Sequence, residues 1–281
     1  MQARKVDVAV ISDVHLGTYG CHASELVQYL KSIDPEILIL NGDIIDIWAF
    51  RKKYFPPSHM QVIKEITSKI SKGTQVYYIT GNHDEMLRRY SGFNLGNFHL
   101  DDKLILDLDG RKAWIFHGDV FDASTKGAAR WLAKLGGKGY DILILLNRLI
   151  NRVLELFGRE KMSFSKKVKQ GVKRAVSWIQ DFEQCAAELA IDREYDYVIC
   201  GHIHQPQDRV ISTSKGDVRY LNSGDWVENL SSLEYYNSAW HIYRYENESE
   251  TKQVLFNMTK KHPAPDVFNN PVELLLHTLS A

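Results

Sequence analysis

Val6-Asp7-Val8-Ala9-Val10-Ile11-Ser12-Asp13-Val14-His15 is the stretch from which the rest of the chain can be read. Residues 6–12 form a β-rich apolar run of strand length, and the run stops on two side chains of metal-binding type. The pattern returns four times. Residues 36–40 lead into Asn41-Gly42-Asp43, residues 74–80 into Gly81-Asn82-His83-Asp84, residues 112–116 into His117-Gly118-Asp119, and residues 197–200 into Gly201-His202-Ile203-His204. Helical patterns at residues 22–33 and 59–71 separate the early strands. Strands alternating with helices predict parallel βαβ units and an α/β fold. Ligands in such sheets gather at the carboxyl ends of the strands, so five strands ending in Asp, Asn or His predict one shared site.

Residues 124–191 break this rhythm and read as long helices. Between 142 and 157, Ile142, Leu145, Leu146, Leu149, Ile150, Val153 and Phe157 share one face, while Arg148, Asn151, Arg152 and Glu155 take the other. A basic segment, residues 159–174, follows. The block is expected to be a helical lid inserted over the site, within a single domain spanning residues 1–281. An apolar helix face beside a basic segment suits acyl chains with anionic headgroups, or a membrane surface; a helix packed on its own core would show the same pattern. Alternating segments at 209–213, 218–222, 239–245 and 253–258 are expected to be antiparallel strands completing a second sheet. Residues 260–281, interrupted by Pro and Asn, are assigned no element.

The 281 residues carry 35 Lys+Arg and 35 Asp+Glu, and this balance argues against a general nucleic-acid binder. The balance conceals an asymmetry, because residues 123–183 hold 13 Lys/Arg against 5 Asp/Glu, about +8. Three cysteines, Cys21, Cys185 and Cys200, form no CxxC pair and no disulfide framework, which fits a reducing cytoplasm. No signal peptide and no segment of about 20 apolar residues is expected.

The residues at the strand ends define the chemistry. Asp13 and His15, two apart on a strand end, lie on the same side. Asp43 adds a second carboxylate after Gly42, Asn82 an amide oxygen, and His117, His202 and His204 three more imidazoles. Oxygen and nitrogen ligands without a thiolate suit Mn²⁺, Fe or Zn²⁺. Seven ligands exceed the needs of one tetrahedral ion. Two divalent ions about 3.5–4 Å apart would use them all, with Asp43 expected as the shared carboxylate. Such a pair makes a nucleophile from water near neutral pH and clamps phosphoryl oxygens, so the expected reaction is phosphoester hydrolysis. His83 would meet the phosphoryl group, stabilising its charge or protonating the leaving oxygen. Asp84 or Asp119 would orient a histidine from behind. His22, His59, His99, His241, His262 and His277 fall outside the pattern and read as ordinary surface or core residues.

Asp-x-His, Gly-Asp-x-x-Asp, Gly-Asn-His-Asp, His-Gly-Asp and Gly-His-x-His, in this order, resemble the motifs of the calcineurin-like metallophosphoesterases. The resemblance implies a four-layer α/β/β/α sandwich with a dinuclear centre at the strand ends. It implies that Asp13, His15, Asp43 and His204 hold one metal, that Asp43, Asn82, His117 and His202 hold the other, and that His83 is the catalytic histidine. Asp13-Val14-His15-Leu16, Gly42-Asp43-Ile44-Ile45-Asp46-Ile47-Trp48, Cys200-Gly201-His202-Ile203-His204-Gln205-Pro206 and Asn222-Ser223-Gly224-Asp225-Trp226-Val227-Glu228 look most like the UDP-2,3-diacylglucosamine pyrophosphatase group of lipid A synthesis. That likeness implies Mn²⁺, a lid over an acylated substrate, and UMP and a monophosphorylated diacyl sugar as products. The protein is expected to be cytoplasmic, with the helical lid as the part that could contact the cytoplasmic face of the inner membrane. Asn82, His83 and Asp122 are expected to contact the substrate. His83 stands where the best-known members have Arg, which leaves a soluble nucleotide, phosphodiester or phosphoprotein as the alternative substrate. The complete ligand set argues against an inactive scaffold.

Overall fold

β1 (Arg4–Ile11) sets the layering of the chain. Its Val6, Val8, Ala9, Val10 and Ile11 are all buried, so the strand needs cover on both faces. One face joins a core with Ile39 and Ile79 of its own sheet and Ala113, Ile115, Ile199 and Leu221 of a second sheet. The parallel crossovers put α1 (Ala23–Ser32) and α2 (Pro57–Ser71) together on the other face, with Leu26, Leu30, Val62 and Ile66 buried. These features belong to the computed structural model, which describes residues 3–47, 54–121, 179–180 and 182–245.

The first sheet contains β1, β2 (Ile33–Asn41), β3 (Gln75–Ile79), β4 (Phe93–Leu95) and β5 (Phe98–Asp101), with β11 (Ser231–Tyr236) and β12 (Ala239–Arg244) beyond β1. Its order is β12-β11-β1-β2-β3-β5-β4. The second contains β6 (Lys103–Leu108), β7 (Arg111–Phe116), β8 (Tyr197–Cys200), β9 (Gln207–Thr213) and β10 (Gly216–Asn222), in the order β6-β7-β8-β10-β9. Register does the positioning. Ile11 pairs with Leu40 and Asn41 with Ile79 in parallel, so the segments starting at Asp13, Gly42 and Gly81 leave the first sheet at one level. In the second sheet Ile115 pairs with Ile199 and Cys200 with Asn222, which levels His117, Gly201 and Ser223.

A helix over residues 182–192, α3, covers the outer face of the second sheet. Phe182, Ala186, Ala187 and Ala190 pack against Phe116, Val198, Cys200, Ile211, Val218 and Tyr220. The layers are therefore α/β/β/α.

Three expectations change. Residues 239–245 do not extend the second sheet: β12 joins the first through β11, which lies antiparallel beside β1 and sends Leu233 and Tyr235 into the inter-sheet core. The second sheet is mixed, because β7, β8 and β10 run parallel. Residues 182–191 form this outer layer rather than the end of a lid. Apart from residues 179–180, the remainder of the expected lid lies outside the described residues, as do Asp122 and the expected strand at 253–258. Contacts group Met1–Arg244 into one compact unit and Tyr245–Ala281 into another, of which only Tyr245 is described.

Candidate metal centre

The chain turns sharply where the ligands after β1, β2 and β8 are presented. Asp13, His15, Asp43, His202 and His204 all have left-handed backbones, with φ of 52°, 53°, 52°, 62° and 56°. This conformation costs a non-glycine residue roughly 1–2 kcal/mol, and such strain persists where the surroundings over-determine it. Here Asp13 N donates to Gly42 O at 3.1 Å, and Val14 N and His15 N donate to Asp43 O at 3.0 and 2.9 Å. The loops after β7 and β8 are joined in the same way, Gly201 N donating to His117 O at 2.9 Å. Gly42 combines a φ of +79° with a position where a Cβ would strike the His117 ring, so both turn and ring require glycine.

The turns bring six of the seven expected ligands together. Asp13, His15 and His204 form one group that could hold an ion, Asp43, His117 and His202 a second, and His15, Asp43 and His83 a third that overlaps the first at His15 and the second at Asp43. Asp43 Oδ2 reaches both sides, 3.9 Å from His15 Nε2 and 3.3 Å from His117 Nε2. Asp13 Oδ1 lies 3.1 Å from His204 Nε2 and 4.0 Å from His117 Nε2. The other carboxylate oxygens are engaged by backbone: Asp13 Oδ2 accepts from His202 N at 3.0 Å, and Asp43 Oδ1 from His83 N at 2.8 Å. Asp13 Oδ1, Asn82 Oδ1 and His117 Nε2 are buried and make no well-directed hydrogen bond. Orphaned buried polar atoms are expensive in a native fold. Lone pairs converging from carboxylate, amide and imidazole fit divalent cations of the Mn²⁺, Fe or Zn²⁺ type. His117 Nδ1 lies 2.9 Å from Asn41 O; donating there leaves Nε2 as the free acceptor that a metal needs.

Electrostatics point the same way. Burial opposes charge on His117, but Asp43 and Asp13 outweigh it and raise its pKa to about 10. Burial likewise opposes charge on His204, and Asp13 outweighs it, raising the pKa to about 9. Burial dominates at His15 and lowers its pKa to about 4. Against burial, His204 and His117 lower Asp13 to about 2, and His117 and its neighbours hold Asp43 well below the usual carboxylate range. The carboxylates that favour protons on His117 and His204 would equally favour metal cations in their place.

His83 stands at the edge of the group, its ring edge-on to His15 at 4.7 Å between centroids. Its Nδ1 lies 3.1 Å from Asp46 Oδ2 and its Nε2 4.0 Å from Asp43 Oδ2. Burial alone would lower its pKa, yet Asp46 and Asp43 raise it. Among the described residues Asp84 and Asp119 hydrogen-bond groups other than histidine. Asp84 accepts from Ile44 N at 3.0 Å, Tyr78 Oη at 2.6 Å and Gly81 N at 2.6 Å, so it fixes the loops that carry Asp43 and Asn82. Asp119 pairs with Arg88 at 2.6 Å and touches His117 only through charge. His59 is a core residue, its Nδ1 accepting from Gly17 N at 2.9 Å.

Sequence reasoning assigned no role to Asp46, Arg88, Asp225 or Asn229. Asp46 closes the Gly-Asp-x-x-Asp motif, and that spacing was the available signal. Arg88 Nε donates to Thr80 Oγ1 at 3.2 Å while its other arm holds Asp119, tying the loop that follows Thr80 to the loop after β7. Nothing in the composition around Arg88 or Asn229 marks them.

The sequence is similar to that of known enzymes. The UDP-2,3-diacylglucosamine hydrolase of Aliivibrio fischeri (strain MJ11) is 26% identical over 245 residues, covering 85% of this chain and 98% of that protein. The enzyme of the same name from Marinobacter nauticus is 25% identical over 204 residues, covering 73% of this chain and 82% of that protein. The profile of the calcineurin-like phosphoesterases matches residues 6–206, the span that carries all seven expected ligands and His83. The chain belongs to the calcineurin-like phosphoesterase family, and it is a phosphohydrolase.

Proposed function

We propose that this phosphohydrolase cleaves the pyrophosphate of UDP-2,3-diacylglucosamine or a closely related nucleotide-linked lipid, releasing UMP and a lipid monophosphate. Asp13, His15, Asp43 and His204 would hold one divalent ion, and Asp43, Asn82, His117 and His202 would hold the other, with Mn²⁺ as the expected metal. When bound, such a pair supplies Lewis acidity and a nucleophile at neutral pH. Asp43 fixes the spacing of the two pockets through one oxygen. Asn82 and His83 face the scissile phosphoryl group. His83 keeps a proton on Nε2 for the leaving oxygen, and Asp46 holds the ring so that this nitrogen faces the centre. Asp84 and Arg88 hold the loops that present Asn82, His83 and His117.

The observation behind the reaction is the reach of Asp43 Oδ2 to histidines of both pockets. Behind the substrate stands the likeness to enzymes that carry that substrate's name over nearly their full length. No helix among the described residues is long and apolar enough to cross a membrane. An amphiphilic substrate of this kind would be met at the cytoplasmic face of the inner membrane, where the apolar and basic side chains of residues 142–174 would contact lipid.

The test is a Mn²⁺-dependent assay on UDP-2,3-diacylglucosamine with phosphorus analysis of the products. UMP and a diacylglucosamine phosphate in equal amounts are expected. Turnover confined to a soluble nucleotide diester or a phosphoprotein would replace the lipid substrate and keep the reaction class.

A further inference from the structure

Residues 222–230, the loop after β10, contain none of the expected metal ligands, yet they grip the backbones of two of them. Trp226 N donates to Asp13 O at 3.1 Å. Asn229 Nδ2 donates to His204 O at 2.6 Å. The same amide nitrogen donates to Asp225 Oδ2 at 2.6 Å, and Asp225 Oδ1 accepts from Val227 N at 2.7 Å. Asp225 is 0% exposed, so its carboxylate is a fixed anchor. Further hydrogen bonds bind the loop to both sheets. Ser12 Oγ meets Ser223 Oγ at 2.6 Å and donates to Gly224 O at 2.9 Å, while Asn222 Nδ2 donates to Gly201 O at 2.8 Å.

The position of this loop matters because Asp13 and His204 follow strands of different sheets. No ladder connects β1 to β8, so strand register cannot set the distance between the two side chains. Besides the bond between Asp13 Oδ2 and His202 N and the contact of Asp13 Oδ1 with His204 Nε2, the loop links the backbones of the two segments. Both residues are also held in the left-handed region, which each would leave if its peptide were released. A primary amide suits position 229 because its two hydrogens can serve a carbonyl and a carboxylate at once. Aspartate has no hydrogen to give and would be repelled by Asp225; leucine fills the space and donates nothing.

We infer that Asn229, anchored by Asp225, is the positioning residue for the metal pocket of Asp13, His15 and His204, and that this pocket fails first when Asn229 is lost. The inference rests on the two-metal reading above. Without the amide, the His204 peptide relaxes and its imidazole leaves Asp13, while the Asp43, His117 and His202 pocket keeps its own supports.

The test uses the full chain, stripped of metal and reloaded with Mn²⁺. Bound ions are counted after equilibrium dialysis, and spin coupling between them is followed by electron paramagnetic resonance. The metal-free melting temperature is recorded alongside. Wild type is expected to bind two coupled ions. Asn229→Asp and Asn229→Leu are expected to bind one ion with an uncoupled spectrum, the other site weakened about 10- to 100-fold, with little change in metal-free melting. Asn229→Ser, the mildest change, covers the case in which the other two do not fold and should show the same selective loss. Fewer than two ions in wild type would defeat the two-metal reading itself. Two ions in wild type and two equally tight ions in the variants would overturn the role of Asn229 alone. Loss of both ions together with a lowered melting temperature would make Asn229 merely structural and overturn it too.

Discussion

Asp46 Oδ2 and His83 Nδ1 face one another at 3.1 Å, joining a buried carboxylate to the half-buried imidazole at the edge of the metal centre. This carboxylate and Asp43 raise the pKa of His83 against the effect of burial. A proton donor must be protonated to act, so activity should fall as pH rises through that pKa. Removing the charge with Asp46→Asn lowers the pKa, and the falling limb of the kcat profile should move to lower pH. On that falling limb the variant should lose rate relative to wild type, while the two differ less at lower pH. Stopped assays across pH 6–10 check this; an unmoved limb would show that Asp46 does not act through His83.

Asp43→Ala removes a carboxylate oxygen close to histidines of both pockets. Metal-stimulated hydrolysis of a generic phosphodiester should drop by at least about 100-fold, and bound metal should fall below two ions per chain. Undiminished Mn²⁺-dependent turnover by this variant would sink the shared-ligand assignment.

Metal loading should release protons. His117 and His204 have pKa values raised from 6.5 to about 10 and about 9 in the metal-free chain. Their contribution to stability is complete below the unfolded value near 6.5 and is lost as pH rises through 9 to 10. Asp13, lowered from 3.8 to about 2, contributes above its unfolded value and loses that contribution as pH falls through about 2. At pH 7.5 both imidazoles therefore carry protons that Mn²⁺ must displace. Calorimetric titrations in buffers of different ionisation heat should report release of about two protons per chain, with affinity rising from pH 7 to 9. Titrations indifferent to the buffer would mean that the histidines start neutral.

Gly42→Ala should be disproportionately harmful for a single methyl group. The left-handed φ of Gly42 and the His117 ring beside it both oppose a Cβ. Stability should fall by about 1–2 kcal/mol from the backbone alone. Metal affinity should fall further, because the ring that yields is a ligand. Denaturant titration and metal counting separate the two effects.

Arg88→Ala should lower kcat about 10-fold while KM changes little, because Arg88 joins the loop of Asn82 and His83 to that of His117 without facing substrate. Arg88→Lys should rescue only part of the rate, since an ammonium cannot span Thr80 and Asp119 as a guanidinium fork does. Full rescue by Lys would reduce the role of Arg88 to its charge.

Much of the centre was legible along the chain. Whether a side chain can ligate a cation is a property of residue type, and a strand end needs only a short apolar run and a turn. Asp13, Asp43, Asn82, His117 and His204 could therefore be picked out without knowing how the strands associate, and their order resembled a known family. Local pattern did not reveal β11 as the partner of β1, because antiparallel pairing between residues 8–10 and 233–235 depends on a return across almost the whole chain. It misplaced residues 182–191 as well: a helix that covers a sheet and a helix that covers a site have the same periodicity.

The sequence by itself determined which atoms could bind metal and that they would converge at the ends of parallel strands. Tertiary structure alone decided what holds them there: Asp46 on His83 across 37 positions, Arg88 on Asp119 across 31, and Asn229 on His204 across 25. The physical reason is that ligand chemistry is local, whereas a hydrogen bond between distant segments exists only once packing has brought them within about 3 Å.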